Sequence, residues 1–351
     1  MSDKMKILLV SDAHHFSTLD TYEGYKNAFR NLNVNFEVAE LHELVDPNKI
    51  IHTSYDAAFG LILAKAVNVE NEITHVLFVS GLLIPQWLLK TLKVCGKKVG
   101  IISLDDPHAS KTLVDNKEFI DYWFTNELTL EDTKNNIYYI PTATDSMYPT
   151  AKKEELPEEY RHNVVFIGTV YDDRTKPLED ACRYCEDHNL TIGIYGPLLK
   201  TPKDSIIRKY AHEGILPNWQ TKMMYRGADV VINIDRNVFW NYQEAEGNSH
   251  LVGDGKPYST NPRAYEIALC QSLQLYINPR QEALDIFGNN IHKAGYDDVY
   301  STLMNIFMNE KKEDKEKKIK YCFDIVKNNH LYLYRAVELI NILNQKEATN
   351  G

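Results

Sequence analysis

The chain has 351 residues, 44% hydrophobic and 25% charged, and a formal net charge of -10. That length exceeds the usual single core and the composition is globular, so two domains are expected and wholesale disorder is excluded. The acidic balance offers no global field for nucleic acid or an anionic membrane, and no apolar run approaches the ~18 residues of a spanning helix, so no membrane insertion is expected.

The start, MSDKMKILLVSDAHH, runs from a short polar lead directly into a strand and reads as a mature N-terminus without a signal peptide. Met5–Val10 is a continuous apolar run, the pattern of a central parallel strand. A helix is expected over Thr21–Asn31 and a short strand over Asn35–Ala39. A buried strand at Thr74–Val79 ends at Ser80-Gly81. A helix over Leu82–Val94 follows, then strands at Lys98–Ser103, Asp121–Thr125 and Ile137–Ile140. The segment from Pro141 to His162 holds three prolines and a charge cluster and reads as a linker.

The alternation then restarts. Strands are expected at Val164–Ile167, Thr191–Tyr195, Ala228–Ile234 and Leu273–Ile277, with helices at Thr175–Asn189, Trp219–Arg226 and Pro262–Gln271. From Asp297 onward the chain reads as helical, with Lys311–Lys320 as a solvated helix face. The reading is therefore α/β with two Rossmann-like domains, whose parallel sheets are expected to face an interdomain cleft. The boundaries are an N-terminal domain at 1–145, a linker at 146–162, a C-terminal domain at 163–328 and a final helical segment at 329–351. Five cysteines, an odd number, point to a reducing cytoplasm, and Cys182 and Cys185 read as buried thiols within a helix.

The segment Ser259–Gln271 carries the most chemistry. Asn261 is a good N-cap and Pro262 suits the first helical position, which puts Arg263 in the first turn beside free backbone N–H groups. A cation there opposes the helix dipole, which makes sense with an anion such as a diphosphate between them. Glu266, about one turn on, shares the face and could bond a ribose; an ordinary i,i+3 pair with Arg263 is the alternative. Gly168 with Thr169, and Gly196 after Tyr195, close two strands where backbone could approach a ligand, although glycine also simply ends strands. Arg174 follows at the next helix start.

In the N-terminal half, Asp12, His14 and His15 follow one strand, and Asp105, Asp106 and His108 follow another. Asp12, His14, Asp106 and His108 are candidate general bases, with loop capping as the alternative. Asp235–Tyr258 is long for a loop and reads as an acceptor-binding element or a plain insertion.

Taken in order, MKILLV, DDPH at 105–108, FTN at 124–126, IPTATD at 140–145, VVFIGT, IYG at 194–196, GILP at 214–217, ADVVINI at 228–234, NPRAYEIALC at 261–270, DIFG at 285–288 and NNHLYLYR at 328–335 resemble the CgeB-like spore-maturation glycosyltransferases of the GT-B group. The resemblance implies a nucleotide-sugar donor site in the second domain. Gly168, Thr169 and Arg174 would face the diphosphate, with Tyr195 and Gly196 near the nucleoside. Gly214, Ile215 and Leu216 would contact the base, Asn261 and Arg263 would grip the diphosphate, and Glu266 would hold the ribose. It further implies that the last helix, Leu331–Leu343, crosses back to the first domain. Gln271 and Ser272 stand where the family usually has a glycine pair.

The expected activity is metal-independent hexosyl transfer from a uridine diphosphate sugar, UDP-glucose or UDP-GlcNAc, with that donor as co-substrate and no other cofactor. An epimerase of the same plan and a non-catalytic sugar-nucleotide-binding protein are the rivals. The acceptor is open among protein, glycan, small molecule and, less favoured by the acidic charge, a modified base in DNA.

Overall fold

The computed structural model describes residues 5–13, 17–49, 52–81, 83–107, 111–199, 201–235 and 257–350. These form two compact units. The first runs to Asp145 and also takes the chain from Tyr332 on; the second takes the chain from Ser146, including Tyr258–Leu331.

The first unit is built on β1 (Ile7–Val10), β2 (Phe36–Ala39), β3 (His75–Val79), β4 (Lys98–Ile102), β5 (Tyr122–Thr125) and β6 (Ile137–Tyr139), in the order β2-β1-β3-β4-β5-β6. All of its pairings are parallel. β1 and β3 are buried along their whole length, which is why their sequences are unbroken apolar runs and not alternating ones. On one face Leu8, Val10, Val76 and Phe78 meet Phe59, Ile62, Leu88 and Leu92. On the other, Ile7 and Leu9 meet Tyr22, Tyr25 and Phe29 of the helix Ser17–Asn31, together with Tyr332, Ala336, Leu339 and Leu343 of the helix Tyr332–Asn350. The spacing of those last four residues puts them on one helix face.

This final helix docks through a specific fit. Tyr332 hydroxyl lies 2.8 Å from Thr21 Oγ1, and its ring centroid sits 5.2 Å from that of Tyr25. Gly24 makes room: a Cβ there would lie 2.1 Å from Tyr332 Cδ2. Burying such aromatic and leucine side chains stabilises the unit by about 1.5–3 kcal/mol each.

The second unit is built on β7 (His162–Ile167), β8 (Ile192–Tyr195), β9 (Ala211–His212), β10 (Ala228–Ile234), β11 (Leu273–Ile277) and β12 (His292–Ala294), ordered β12-β11-β10-β7-β8-β9 and again parallel. The helix Asp172–Asp187 buries Leu178, Ala181, Cys182 and Cys185 against one face. The helices Asn218–Gly227 and Pro262–Leu269 cover the other, where Tyr225 and Ile267 pack on Val165 and Val231.

The structure corrects the sequence reading in several places. The region between Ala39 and Thr74, left without a helix, holds Leu41–Leu44 and Tyr55–Val67. The helix expected from Leu82 begins at Gln86, after Pro85 in extended backbone. The helix expected over Thr175–Asn189 is Asp172–Asp187. Strands β9 and β12 are additional. The segment 146–162, read as a linker, packs on the second unit: Leu156 and Tyr160 are buried, Lys222 Nζ bonds Met147 O at 2.8 Å, and Arg226 Nε bonds Ala151 O at 2.8 Å. Burial pushes the thiols of Cys182 and Cys185 up to about 12, so both are protonated and unreactive at neutral pH. The charged stretch opening the helix Lys312–Asn329 lies largely exposed, as expected, with surface pairs such as Lys317–Asp314.

Candidate functional site

Strand order fixes where a ligand would sit. From β7 the second sheet grows one way through β8 and β9, and from β10 the other way through β11 and β12. Outward growth in both directions leaves a crevice between the carboxyl ends of β7 and β10, the switch point at which open α/β sheets bind ligands.

Two arginines converge there. Arg174, in the first turn of its helix, is only 6% exposed; its Nη1 donates to Thr169 O at 2.8 Å and its Nη2 to Ile234 O at 3.1 Å. Arg263, from the first turn of the helix Pro262–Leu269, donates through Nη1 to Asn233 Oδ1 at 3.2 Å and to Ile234 O at 3.4 Å. Their guanidinium carbons lie 5.9 and 5.7 Å from the centre of the buried Phe166 ring. Among the described residues neither is ion-paired to a carboxylate, and Arg174 Nε is buried without a hydrogen-bond partner. Burial and the adjacent Arg263 push Arg174 down to about 10, so it remains charged at neutral pH. Asp173 and Asp235 offset part of this charge without ion-pair contact, but Arg263 beside Arg174 still sets two like charges together, an arrangement that an anion would balance.

The glycines are required by this geometry. Gly168 follows β7 at φ +150°, and a Cβ on it would lie 2.6 Å from Arg263 Nη2. Gly196 follows β8 at φ +129°, and a Cβ there would meet Gly168 O at 2.5 Å. Gly168 N also bonds Tyr195 O at 2.8 Å. Arg263, Gly168 and Gly196 therefore fit as a stack in which each bare backbone makes space for the next.

Asn261 caps its helix as read from sequence, its Oδ1 accepting from Ala264 N at 3.2 Å. Its Nδ2 donates to Asn233 Oδ1 at 3.0 Å and Asp235 Oδ1 at 2.5 Å. Asp235 Oδ2 accepts from Tyr276 hydroxyl at 2.6 Å, and Tyr276 hydroxyl pairs with Thr260 Oγ1. Burial, with Asp235 alongside, pushes the Tyr276 phenol well above its ordinary range, so it stays a donor. Glu266 is half-buried on the same face as Arg263, and both act on the buried Tyr225 phenol.

The other expected donor residues are arranged around Gly196. Tyr195 is turned inward, its ring stacked on His212 at 4.7 Å and its hydroxyl 3.0 Å from His162 Nε2. Gly196 N bonds His212 O at 3.2 Å, and the turn Gly214–Ile215–Leu216 follows directly. A Cβ on Gly214 would meet nothing within 4 Å, Ile215 is 60% exposed, and Leu216 packs on the core below. Sequence reasoning missed Asn233, Gln274 and Tyr276 and took Asp235 only as the start of a loop; the available signal at 233 and 274 was a polar side chain inside a run otherwise suited to a buried strand.

In the first unit the switch point lies between β1 and β3. Asp12, after β1, is buried and its Oδ1 accepts from Ala13 N at 2.7 Å. Ser80 and Gly81, after β3, hold φ +76° and +81°. Asp106 is buried after β4, where its Oδ2 accepts from Thr125 Oγ1 at 2.6 Å and Trp123 Nε1 at 3.2 Å. Those bonds make Asp106 a fixed internal acceptor. His14, His108 and most of the Asp235–Tyr258 loop lie outside the described residues.

No family model and no curated protein matches the sequence. Solved structures do match along nearly the whole chain. Sucrose-phosphate synthase from Thermosynechococcus elongatus is 11% identical with a TM-score of 0.62, covering 98% of this chain and 100% of its own. HepE from Anabaena, in complex with UDP-glucose, is 11% identical with a TM-score of 0.59, covering 97% and 100%. An alpha-glucosyltransferase, in complex with UDP and a 13-mer DNA containing an HMU base, is 10% identical with a TM-score of 0.64, covering 97% and 100%. The chain has the fold of these GT-B glycosyltransferases.

Proposed function

We propose that this protein is a CgeB-like hexosyltransferase that moves glucose or N-acetylglucosamine from a uridine diphosphate sugar to an acceptor hydroxyl. The observation that carries this reading is the Arg174–Arg263 pair at the switch point of the second sheet, with Gly168 kept bare beside it. The relatives in fold include proteins solved with UDP-glucose or UDP.

In this reading the two guanidiniums and the N-terminus of the helix Pro262–Leu269 take the diphosphate. As the glycosidic C–O bond breaks, negative charge grows on the departing β-phosphate oxygen. Preformed cations and N–H donors stabilise that charge without reorganising, an effect worth several kcal/mol. Glu266 would hold the ribose, and Gly214–Leu216 the base. The acceptor's proton would pass to one of Asp12, His14, Asp106 and His108, with Asp106 the least suited because it accepts internal bonds from Trp123 and Thr125. No metal is needed for this division of labour, and activity is expected to survive a chelator.

Incubation with UDP-glucose and UDP-GlcNAc, followed by product analysis, tests the activity. Sugar on an acceptor, or release of UDP, supports transfer; an isomerised donor would make it an epimerase; donor bound but unchanged would make it a binding protein. Arg263→Ala is expected to weaken UDP binding by about 1.5–3 kcal/mol, measured by calorimetry. Unchanged affinity would remove Arg263 from the site.

A further inference from the structure

Asn233 and Gln274 are amides inside two central strands whose other residues are almost all apolar, and they are 0% and 3% exposed. β10 and β11 pair Val231 with Gln274 and Asn233 with Tyr276, so both amides face the helix Pro262–Leu269, diagonal to one another. Burying two amides in a sheet core is unfavourable unless their polar atoms are used.

The orientation of each amide follows from groups that can only donate. Ala264 N–H fixes Asn261 Oδ1, which turns Asn261 Nδ2 toward Asn233. Arg263 is likewise an obligate donor. Facing both, Asn233 must present Oδ1, at 3.0 and 3.2 Å. Its Nδ2 then points the other way, to Gln274 Oε1 at 3.2 Å. Gln274 Nε2 is left buried without a partner. Leucines at 233 and 274 together would leave neither amide with an orphaned donor, so the fold alone gives no reason for the pair.

We infer that Gln274 and Asn233 are positioning residues that hold Asn261 and Arg263 in the orientation that receives the diphosphate. The inference rests on the proposed donor site and adds the device that aims it. Gln274 orients Asn233, and the single oxygen of Asn233 fixes the cap and the cation together, so the helix terminus and the guanidinium share one origin.

The test measures UDP by calorimetry and uridine by ligand-detected NMR on the wild type, Arg263→Ala, Asn233→Leu/Gln274→Leu and Asn233→Asp, with melting temperatures for each. The double leucine variant is expected to melt at or above the wild-type temperature, to bind UDP at least fivefold more weakly and to bind uridine unchanged. A merely structural defect would lower both affinities. Asn233→Asp keeps both acceptor bonds but sets a carboxylate against Arg263. It is expected to fold and, because the added carboxylate neutralises the cation that Asn233 touches, to lose at least tenfold in UDP affinity; wild-type affinity here would mean that residue 233 does not contact Arg263 in the binding state, which removes its positioning role even if the double variant misfolds. Wild-type UDP affinity in either folded variant, with Arg263→Ala still impaired, would overturn the positioning role alone. UDP binding that is absent in the wild type, or indifferent to Arg263→Ala, would overturn the donor site itself.

Discussion

The carboxyl ends of the two sheets make an instructive pair. Both sheets have six parallel strands and one switch point, yet the groups placed there differ in kind. In the second unit two cations share the carbonyl of Ile234 and bare glycine backbone lies beside them. In the first unit Asp12 and Asp106 are buried carboxylates that already accept internal hydrogen bonds. Two like charges side by side, only partly offset by Asp173 and Asp235, suit an anionic ligand, whereas the Asp106 carboxylate is already held by internal donors. Topology offers the crevice twice, and the chemistry of the side chains decides how each is used.

The largest expected effect is on the basic side. Arg174→Met should weaken UDP binding by about 3 kcal/mol, roughly a hundredfold by calorimetry, while unfolding stability changes by less than about 1 kcal/mol. A large stability loss without a binding loss would make Arg174 architecture too and dissolve the contrast. Next comes Gly196→Ala, which forces a Cβ against Gly168 O from a φ of +129°. About 2 kcal/mol of stability should be lost in urea denaturation, with weaker UDP binding as Gly168 shifts toward Arg263.

On the acidic side Asp106→Asn should cost no more than about 1 kcal/mol, because Trp123 and Thr125 donate to one and the same oxygen, which an amide can still present. Turnover should stay within tenfold of wild type; a drop of a hundredfold or more at unchanged stability would restore Asp106 as the base. The smallest effect concerns His162. Its pKa is lowered by burial and by His212, so folding favours the neutral ring. Its contribution is then fully present above about pH 6.5 and is lost as pH falls from there toward the folded value. His162→Gln should flatten the decline in melting temperature between pH 7.5 and 5.5, and an unchanged slope would show that the ring does not report on that end of the sheet.

Much of this architecture is legible in the sequence because central parallel strands are unbroken apolar runs. MKILLV, HVLFV and ADVVINI announce themselves, and the Asn261-Pro262 cap marks the start of its helix to the residue. The helix Tyr55–Val67 is hard to find because YDAAFGLILAKAV is apolar nearly all round and shows no 3.6-residue stripe, although Ser54 caps it. β9 has two residues and β12 three, too short to show a pattern. The segment 146–162 has the composition of a tether, but Leu156 and Tyr160 find a surface that only the tertiary structure supplies. At the site, Arg263, Gly168 and Gly196 could be named singly, whereas their stacking depends on strand order. Asn233 and Gln274 were absorbed into apolar runs, since one polar residue does not spoil a strand.

The junction of Gly24 with Tyr332 bears on how this polypeptide matures on the ribosome. The first sheet emerges early, but Tyr332, Ala336, Leu339 and Leu343, which close one wall of its core, are translated long after it. Until they arrive, Tyr22, Tyr25 and Phe29 keep a wet flank, and everything between must be synthesised first. Closure of this core thus waits for the segment from Tyr332, and a nascent chain stalled before residue 332 would display an unfinished, chaperone-accessible aromatic surface.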